Sequence, residues 1–370
     1  MDLFFYGTLC HDPLLTLVLG RTVEAMPARL DGHKVSWVSG QPFPMIAEVA
    51  GAEASGVFVR GLTDDDVARL NFYEGGFAYD LRDVVVQTSD GATPAQVYFP
   101  NDPGLVAGDD WDLDAWVQTW GAVACDQAHE VMARYGRQST QEVAPLMPFM
   151  RARAWARQLA ANPAPSTLRR RPTAGDVALQ FQDGGHDGFF RMRRFSVQHR
   201  RFDGTWSPTL DREAMVGFDV AMVLPYDPKT DTVLMVEQIR FGPIMRGDPG
   251  TWILEPIAGF IEAGETPQTA ARREALEEAG LTLRDLRPIL GAYPSPGYVS
   301  EFYHFFLAIC DLSTAGGLGG AEAEHEDIRS HVVGFDDALA LLDSGEINAA
   351  PLAMMLLWLA RARPALRAAS

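Results

Sequence analysis

Cysteine is nearly missing from this chain of 370 residues. Its three thiols, Cys10, Cys125 and Cys310, are odd in number, far apart and free of C-x-x-C spacing. That argues against a disulfide framework or a thiolate zinc site and fits a reducing cytoplasm. Basic charge is scarce as well: 31 Lys and Arg stand against 49 Asp and Glu, a formal charge of −18. Such a surface repels nucleic acid and anionic membranes, so an anionic partner must be small and met by local cations. No basic segment followed by an apolar one opens the chain. The longest apolar run, 352–360, falls far short of the roughly 20 residues a spanning helix needs. The expectation is a soluble cytoplasmic protein without nucleic-acid or membrane partners. What is present is a globular composition, 47% hydrophobic, in a chain long enough for two cores.

The most informative stretch is 258–281, AGFIEAGETPQTAARREALEEAGL. Thr266 can cap a helix whose first turn carries Pro267, and Gly280 lies where a left-handed residue would end it. Inside that helix Glu274, Glu277 and Glu278 stand three and four residues apart and share a face. Three carboxylates this close repel one another unless protons or a cation intervene. A hard divalent ion such as Mg²⁺ relieves the repulsion and can also hold diphosphate oxygens. Arg273, four residues before Glu277, is placed to orient that carboxylate.

The spacing G-x5-E-x7-R-E-x-x-E-E-x-G, carried by Gly259, Glu265, Arg273, Glu274, Glu277, Glu278 and Gly280, closely resembles the Nudix box. Flanking segments narrow the resemblance to the ADP-ribose pyrophosphatase group: EQIR at 237–240, LEPIAGFIEAGE at 254–265, SPGYVSE at 295–301 and EHEDIR at 324–329. The resemblance covers about 188–360 and implies an α/β/α sandwich. It further implies metal ligation by Glu274, Glu278, Glu326 and the backbone carbonyl of Ala258, with Mg²⁺ as the ion and Mn²⁺ as its substitute. Catalytic roles fall to Glu277 and to Glu324, the latter activating the attacking water. Substrate contacts are implied at Arg240, Glu255, Ser295 and Glu301, with Arg212 reaching the site from the partner subunit of a homodimer. The implied substrate is a small nucleoside diphosphate sugar. ADP-ribose would give AMP and ribose 5-phosphate; GDP-mannose hydrolysis and a non-catalytic ADP-ribose sensor are the alternatives. Two departures stand out: Ala275 replaces a bulkier aliphatic residue, which is expected to loosen packing, and His325 lies between the two loop acids.

The chain begins with the strand-like Leu3-Phe4-Phe5 running into Tyr6-Gly7-Thr8-Leu9, and further strand-like runs lie at 57–59, 84–86 and 96–98. YGTL at 6–9, together with LNFYEG at 70–75 and YDLR at 79–82, resembles the γ-glutamylcyclotransferase-like (AIG2-like) family over about 1–100. The implied fold is a mostly β barrel with a helical layer. The implied chemistry sets Glu74 as a base on a substrate amine, with the loop Tyr6, Gly7, Thr8 and Leu9 donating backbone hydrogen bonds to a carboxylate. A scaffold without activity is the alternative. Residues 109–160 read as helical, and Trp111, Trp116 and Trp120 are expected to be core without chemistry.

A proline-rich, polar stretch at 162–172 reads as a linker. The expected division is 1–160, a linker at 161–175, and 176–370. Such a fusion resembles bacterial tellurite-resistance-associated, TrgB-like proteins. Nine arginines between 169 and 212 are the expected counter-charge for a small anion. The apolar 348–363 is expected to be a core or dimer helix.

Overall fold

The computed structural model describes residues 1–74, 79–161, 165–171, 173–321 and 326–369. They form two compact units, Met1–Ala161 and Asn162–Ser370.

In the first unit the elements are β1 (Leu3–Phe5), α1 (Asp12–Leu19), β2 (Ala25–Val38), β3 (Pro44–Val59), α2 (Asp64–Glu74), β4 (Tyr79–Thr88), β5 (Gly91–Pro100) and β6 (Ala107–Asp110). The helices α3 (Leu113–Trp116), α4 (Ala122–Met132), α5 (Thr140–Val143) and α6 (Met147–Ala160) follow. The strand order is β3-β1-β5-β4-β2, and β2 pairs β3 again, so five strands close into a barrel with β6 attached to β2. Side chains alternate across the barrel wall as the two-residue period of a strand requires. Phe4 and Tyr6 point into the barrel with Leu30, Ile46, Phe58 and Val97. Leu3 and Phe5 face the helices, joining Leu14, Val18, Leu70 and Trp116 in a second core.

Helix α2 was not legible as a helix from the apolar pattern, yet it has a clear start. Thr63 Oγ1 accepts from the Asp66 N–H at 3.2 Å, and the Asp66 carboxylate accepts from the Thr63 N–H at 2.8 Å, a reciprocal cap. Asp64, Asp65 and Asp66 fill the first turn, where the helix dipole favours anions. Asp66 is buried and fixed by Arg21 at 2.6 Å. Arg21 and the Thr63 donors together hold its carboxyl down at about 2. The helix is thereby anchored at one end and delivers Glu74 at the other.

The second unit runs β7 (Val177–Asp187), β8 (Arg191–His199), β9 (Leu210–Val216), β10 (Asp219–Asp227), β11 (Thr232–Ile239), α7 (Phe241–Arg246), β12 (Trp252–Glu255), β13 (Ile257–Phe260), α8 (Pro267–Ala279), β14 (Asp285–Ala292), β15 (Phe302–Ile309), β16 (Gly317–Gly319), β17 (Ile328–Gly334), α9 (Phe335–Ser344) and α10 (Ala350–Ala368). The main sheet has the order β14-β15-β10-β11-β17-β16. Strands β10 and β11 pair only beside their hairpin turn, at Tyr226–Val233 and Asp227–Thr232. Beyond that they splay, and the gap is filled by β12 on β11 and β13 on β10. Strand β10 is buried along its whole length. Its Val220, Met222, Leu224 and Tyr226 pack with Phe335, Leu352, Met355 and Leu359 of α9 and α10. The alternate residues Ala221 and Val223 point to the opposite face, where α8 packs on β10 and β13. Helices on both faces make the expected α/β/α sandwich.

Strands β7, β8 and β9 form a separate three-stranded sheet. It corrects one expectation, because several of the clustered arginines are spent on their own neighbours. Arg170 holds Asp176, Arg191 and Arg193 share Asp187, and Arg194 reaches Glu213. For Arg191, Arg193 and Arg194 the acid sits on the neighbouring strand, which arginine spacing alone does not reveal.

Candidate functional site

In the second unit the site is built where α8 meets the split in the sheet. The Thr266 hydroxyl accepts from the Thr269 N–H at 3.1 Å, Pro267 occupies the first turn, and Gly280 ends the helix at φ 64°. Arg273 is the hub of the exposed end. It donates to both oxygens of Glu265 at 3.0 Å, to Glu274 at 2.5 Å, to Glu277 at 3.0 Å and to the Phe260 carbonyl at 2.9 Å. Burial opposes its charge, but the bonds to Glu265 and the charge of Glu274 hold it firmly protonated. The expected Arg273–Glu277 pair is one strand of this larger knot.

Glu274 and Glu278 are buried, whereas the Glu277 side chain is 41% exposed. Glu278 Oε2 accepts from the Ala258 N–H at 3.2 Å. Burial pushes the Glu278 carboxyl up to about 9, the charge of Glu274 adds to that, the Ala258 donor opposes it, Glu326 raises it further and Arg240 draws it down. Glu278 thus lies against the Ala258 N–H and within the fields of Glu274 and Glu326. A Cβ on Gly259 would overlap the Glu274 carboxylate, so the box glycine is the cradle for that side chain. Among the described residues no three His, Cys, Asp or Glu side chains close into a metal cage. Each carboxylate has a different described partner: Glu274 has Arg273, Glu278 has the Ala258 N–H, and Glu326 has the Ala321 N–H at 3.0 Å. The donor set nevertheless suits a hard divalent cation, all oxygen and strained by mutual repulsion around a buried acid.

Beside this face Arg240 donates to Glu255 Oε2 at 2.6 Å. Tyr303 donates to Glu301 Oε2 at 3.3 Å. Burial and the charges of Glu301 and Glu255 raise the Tyr303 phenol, with Arg240 opposing. Arg240, Glu255 and Glu301 are therefore brought together, with Tyr303 as a member that no motif pointed to. Ser295 lies in a turn, its carbonyl accepting from the Val299 N–H at 3.1 Å. Arg212 is exposed on β9 and donates to the Asp211 carbonyl at 2.8 Å. Among the described residues neither Ser295 nor Arg212 makes a hydrogen bond or ion pair to the carboxylate face. Glu324 and His325 lie outside the described residues. Ala275 is fully buried in the helix's inner face.

The first unit holds a cavity of about 120 Å³, roughly ten times what one water requires. Tyr6, Gly7, Thr8 and Leu9 line it together with Glu74, as the sequence led one to expect. Burial alone pushes the Glu74 carboxyl up to about 7. Tyr73, Tyr79 and Tyr98 complete that wall. Trp116 and Trp120 belong to the helical core as expected and also line the cavity, along with Val123, Gln127 and Arg151. The Trp116 indole N–H donates to the Pro42 carbonyl at 2.8 Å, which fixes the ring while one side faces the cavity.

Comparison with known proteins agrees with both geometries. Residues 217–354 match the model of the NUDIX domain, and residues 3–113 match that of the gamma-glutamyl cyclotransferase, AIG2-like domain. An ADP-ribose pyrophosphatase of Escherichia coli strain K12 is 38% identical over 184 residues, 50% of this chain and 88% of the relative. An ADP-ribose pyrophosphatase of Haemophilus influenzae is 35% identical over 50% of this chain and 86% of the relative. A GDP-mannose pyrophosphatase of Escherichia coli O1:K1 is 31% identical over 47% of this chain and 89% of the relative. A solved structure described as an ADP compounds hydrolase aligns with 53% of this chain at 17% identity and a TM-score of 0.42, and no argument rests on it.

Proposed function

This chain belongs to the Nudix hydrolase family, with an AIG2-like domain ahead of the Nudix domain, and from that premise we propose that it hydrolyses the diphosphate of ADP-ribose to AMP and ribose 5-phosphate. The observation that carries this reading is the buried Glu278, held by the Ala258 N–H and lying in the fields of Glu274 and Glu326, beside the Arg240–Glu255 and Tyr303–Glu301 pairs. Glu274, Glu278, Glu326 and the Ala258 carbonyl would hold Mg²⁺, or Mn²⁺ in its place. When bound, the ion supplies charge neutralisation of the diphosphate and acidification of water. Arg240, Glu255 and Glu301 orient the ligand, and Arg273 keeps the carboxylates in register with α8. Water attacks one phosphorus, the bond from that phosphorus to the bridging oxygen breaks, and the leaving phosphate keeps the electron pair. The water's proton passes to a carboxylate, assigned from the sequence to Glu324, with Glu277 at the rim of the same face.

The test is a panel of nucleoside diphosphate sugars assayed for phosphomonoester formation with Mg²⁺. Turnover of GDP-mannose without ADP-ribose turnover would select the activity named for the 31% identical relative. Stoichiometric ADP-ribose binding without turnover would select a sensor.

Two features of the second unit support a homodimer, which is proposed to be cytoplasmic. Strand β7 exposes Val177, Leu179 and Phe181 at two-residue spacing, an apolar stripe that a second copy would cover. Arg212, on the same small sheet, is available to a site on the partner subunit.

A second reading concerns the first unit, because Glu74 and the loop at 6–9 line one cavity. In it the α-amine nitrogen of a γ-glutamyl compound attacks its own γ-carbonyl carbon and the γ-amide C–N bond breaks. Glu74 takes the amine proton and returns it to the leaving amine, giving 5-oxoproline.

A further inference from the structure

The AIG2-like match ends at residue 113, yet the cavity wall continues beyond it. Helices α4 and α6 contribute Val123, Ala124, Gln127, Met147 and Arg151. Among the described residues Arg151 is the one cation in the lining. Its guanidinium donates to Gln127 Oε1 across 3.4 Å, a long bond to a neutral acceptor, and it holds no carboxylate among the described residues. Every other arginine of this helical extension with a described acidic partner spends its charge there: Arg153 and Arg134 on the buried Glu130, and Arg157 on Asp126. Burial pulls Arg151's pKa down, so its charge is held at a cost that a bound anion would relieve. Glu74, in the same lining, is raised by burial and by nothing else, so Arg151 does not neutralise it. The cavity therefore offers a carboxylate and a cation that are not paired with each other among the described residues, with Trp120 and Tyr73 in the wall.

We propose that Arg151 is the anion-binding subsite of this cavity, and that the ligand is a γ-glutamyl compound whose amine portion carries a carboxylate of its own, as in a γ-glutamyl amino acid. The proposal rests on the cyclotransferase reading of the first unit and names its substrate class. The loop at 6–9 and Glu74 take the glutamyl end; Arg151, brought by the extension, takes the carboxylate of the leaving amino acid. Arg151 is then a specificity residue, and the extension is what turns a general γ-glutamyl pocket into one that selects anionic amines.

The full chain is assayed for 5-oxoproline release from γ-glutamylglycine and from γ-glutamylmethylamide, which differ in the carboxylate alone. Wild type is expected to favour the dipeptide by about tenfold or more, the scale of a charge-assisted hydrogen bond. Arg151→Gln should erase that preference by raising KM for the dipeptide, and Arg151→Lys should restore part of it. Equal turnover of both compounds by wild type, or equal loss of both in Arg151→Gln with the near-ultraviolet dichroism of the cavity tryptophans intact, overturns the subsite and leaves cyclisation standing. If that dichroism is lost in Arg151→Gln, Arg151→Lys against wild type decides, an unchanged preference overturning the proposal. If neither compound yields 5-oxoproline, the cyclotransferase reading fails, and calorimetric titration of the same two compounds decides the subsite. A tighter Kd for the dipeptide that Arg151→Gln abolishes supports it; equal Kd values, or no binding, sink it.

Discussion

The Ala258 N–H donates to Glu278 Oε2 across 3.2 Å, joining the strand that enters the split sheet to the helix that carries the box. One peptide thus sets the position of the most deeply buried acid of the site. The Ala258 N–H restrains the carboxylate, and the Ala258 carbonyl is proposed to stand among the metal ligands. Glu278→Gln keeps the volume and an acceptor for Ala258 but removes the anion. Turnover of ADP-ribose is expected to fall by about a hundredfold or more, with far-ultraviolet dichroism unchanged. A variant retaining a tenth of wild-type kcat at saturating Mg²⁺ would remove Glu278 from the ligand set. Glu324→Gln should cut turnover comparably while leaving metal affinity intact.

Arg273 satisfies four groups at once, so its replacement is costly in a way that a surface ion pair is not. Arg273→Ala leaves the buried Glu274 and the half-buried Glu265 without their cation, and about 2–4 kcal/mol should be lost. Urea unfolding followed in the second unit measures this. Arg273→Lys should recover little, since a lysine cannot fork between Glu265, Glu274 and the Phe260 carbonyl.

Gly259→Ala tests the cradle directly. The added methyl overlaps the Glu274 carboxylate, so α8 must shift or Glu274 must leave Arg273. The expected outcome is about 1–3 kcal/mol of destabilisation with a larger loss of Mg²⁺-dependent turnover. An alanine variant with normal Mg²⁺ dependence would show that Glu274 does not need its present place.

Much of this half was legible because its signals are local: the cap, the first-turn proline, the terminating glycine and the three acids lie within fifteen or so residues, about four helical turns. Tyr303 escaped notice because a lone aromatic in a strand carries no spacing, and the arginine cluster misled because its acids sit on the neighbouring strand. In the first unit Glu74 and the loop at 6–9 were recognisable, but the helix delivering Glu74 opens with three aspartates that dilute its apolar stripe. Arg151 and Gln127 reach the cavity from helices far along the chain. Only tertiary packing reveals such a lining.

The Glu74 carboxyl, pushed up to about 7 by burial, makes two pH effects of opposite use. As a base it must be ionised, so 5-oxoproline release should rise as pH climbs through about 7 and vanish in Glu74→Gln. For stability the sign is reversed. A carboxyl whose folded pKa lies above its unfolded value of about 4.3 favours the folded state at low pH and loses that advantage as pH rises to about 7. Wild type should therefore lose stability relative to Glu74→Gln between about pH 4.5 and 7, read by thermal unfolding of the full chain. A constant difference across that range would contradict a raised pKa.

The dimer is tested by complementation. Mixing Arg212→Ala with Glu278→Gln subunits should restore activity at one of the two sites of each mixed dimer. A monomer at micromolar concentration by light scattering would rule the arrangement out.

The wedge of β12 and β13 between β10 and β11 divides this region into two kinds of sequence. Residues 252–260 are zipped on both sides, so losing one residue there would invert the alternation of a strand and draw Ala258 off Glu278. Residues 241–251 leave the ladder after Arg240, whose N–H closes the excursion on the Thr251 carbonyl at 2.9 Å. Each doubling of such a loop costs only about 0.6 kcal/mol. The loop that follows Arg240 is accordingly open to change by length, while the segment that positions Glu278 is open to change only by exchange of one side chain for another.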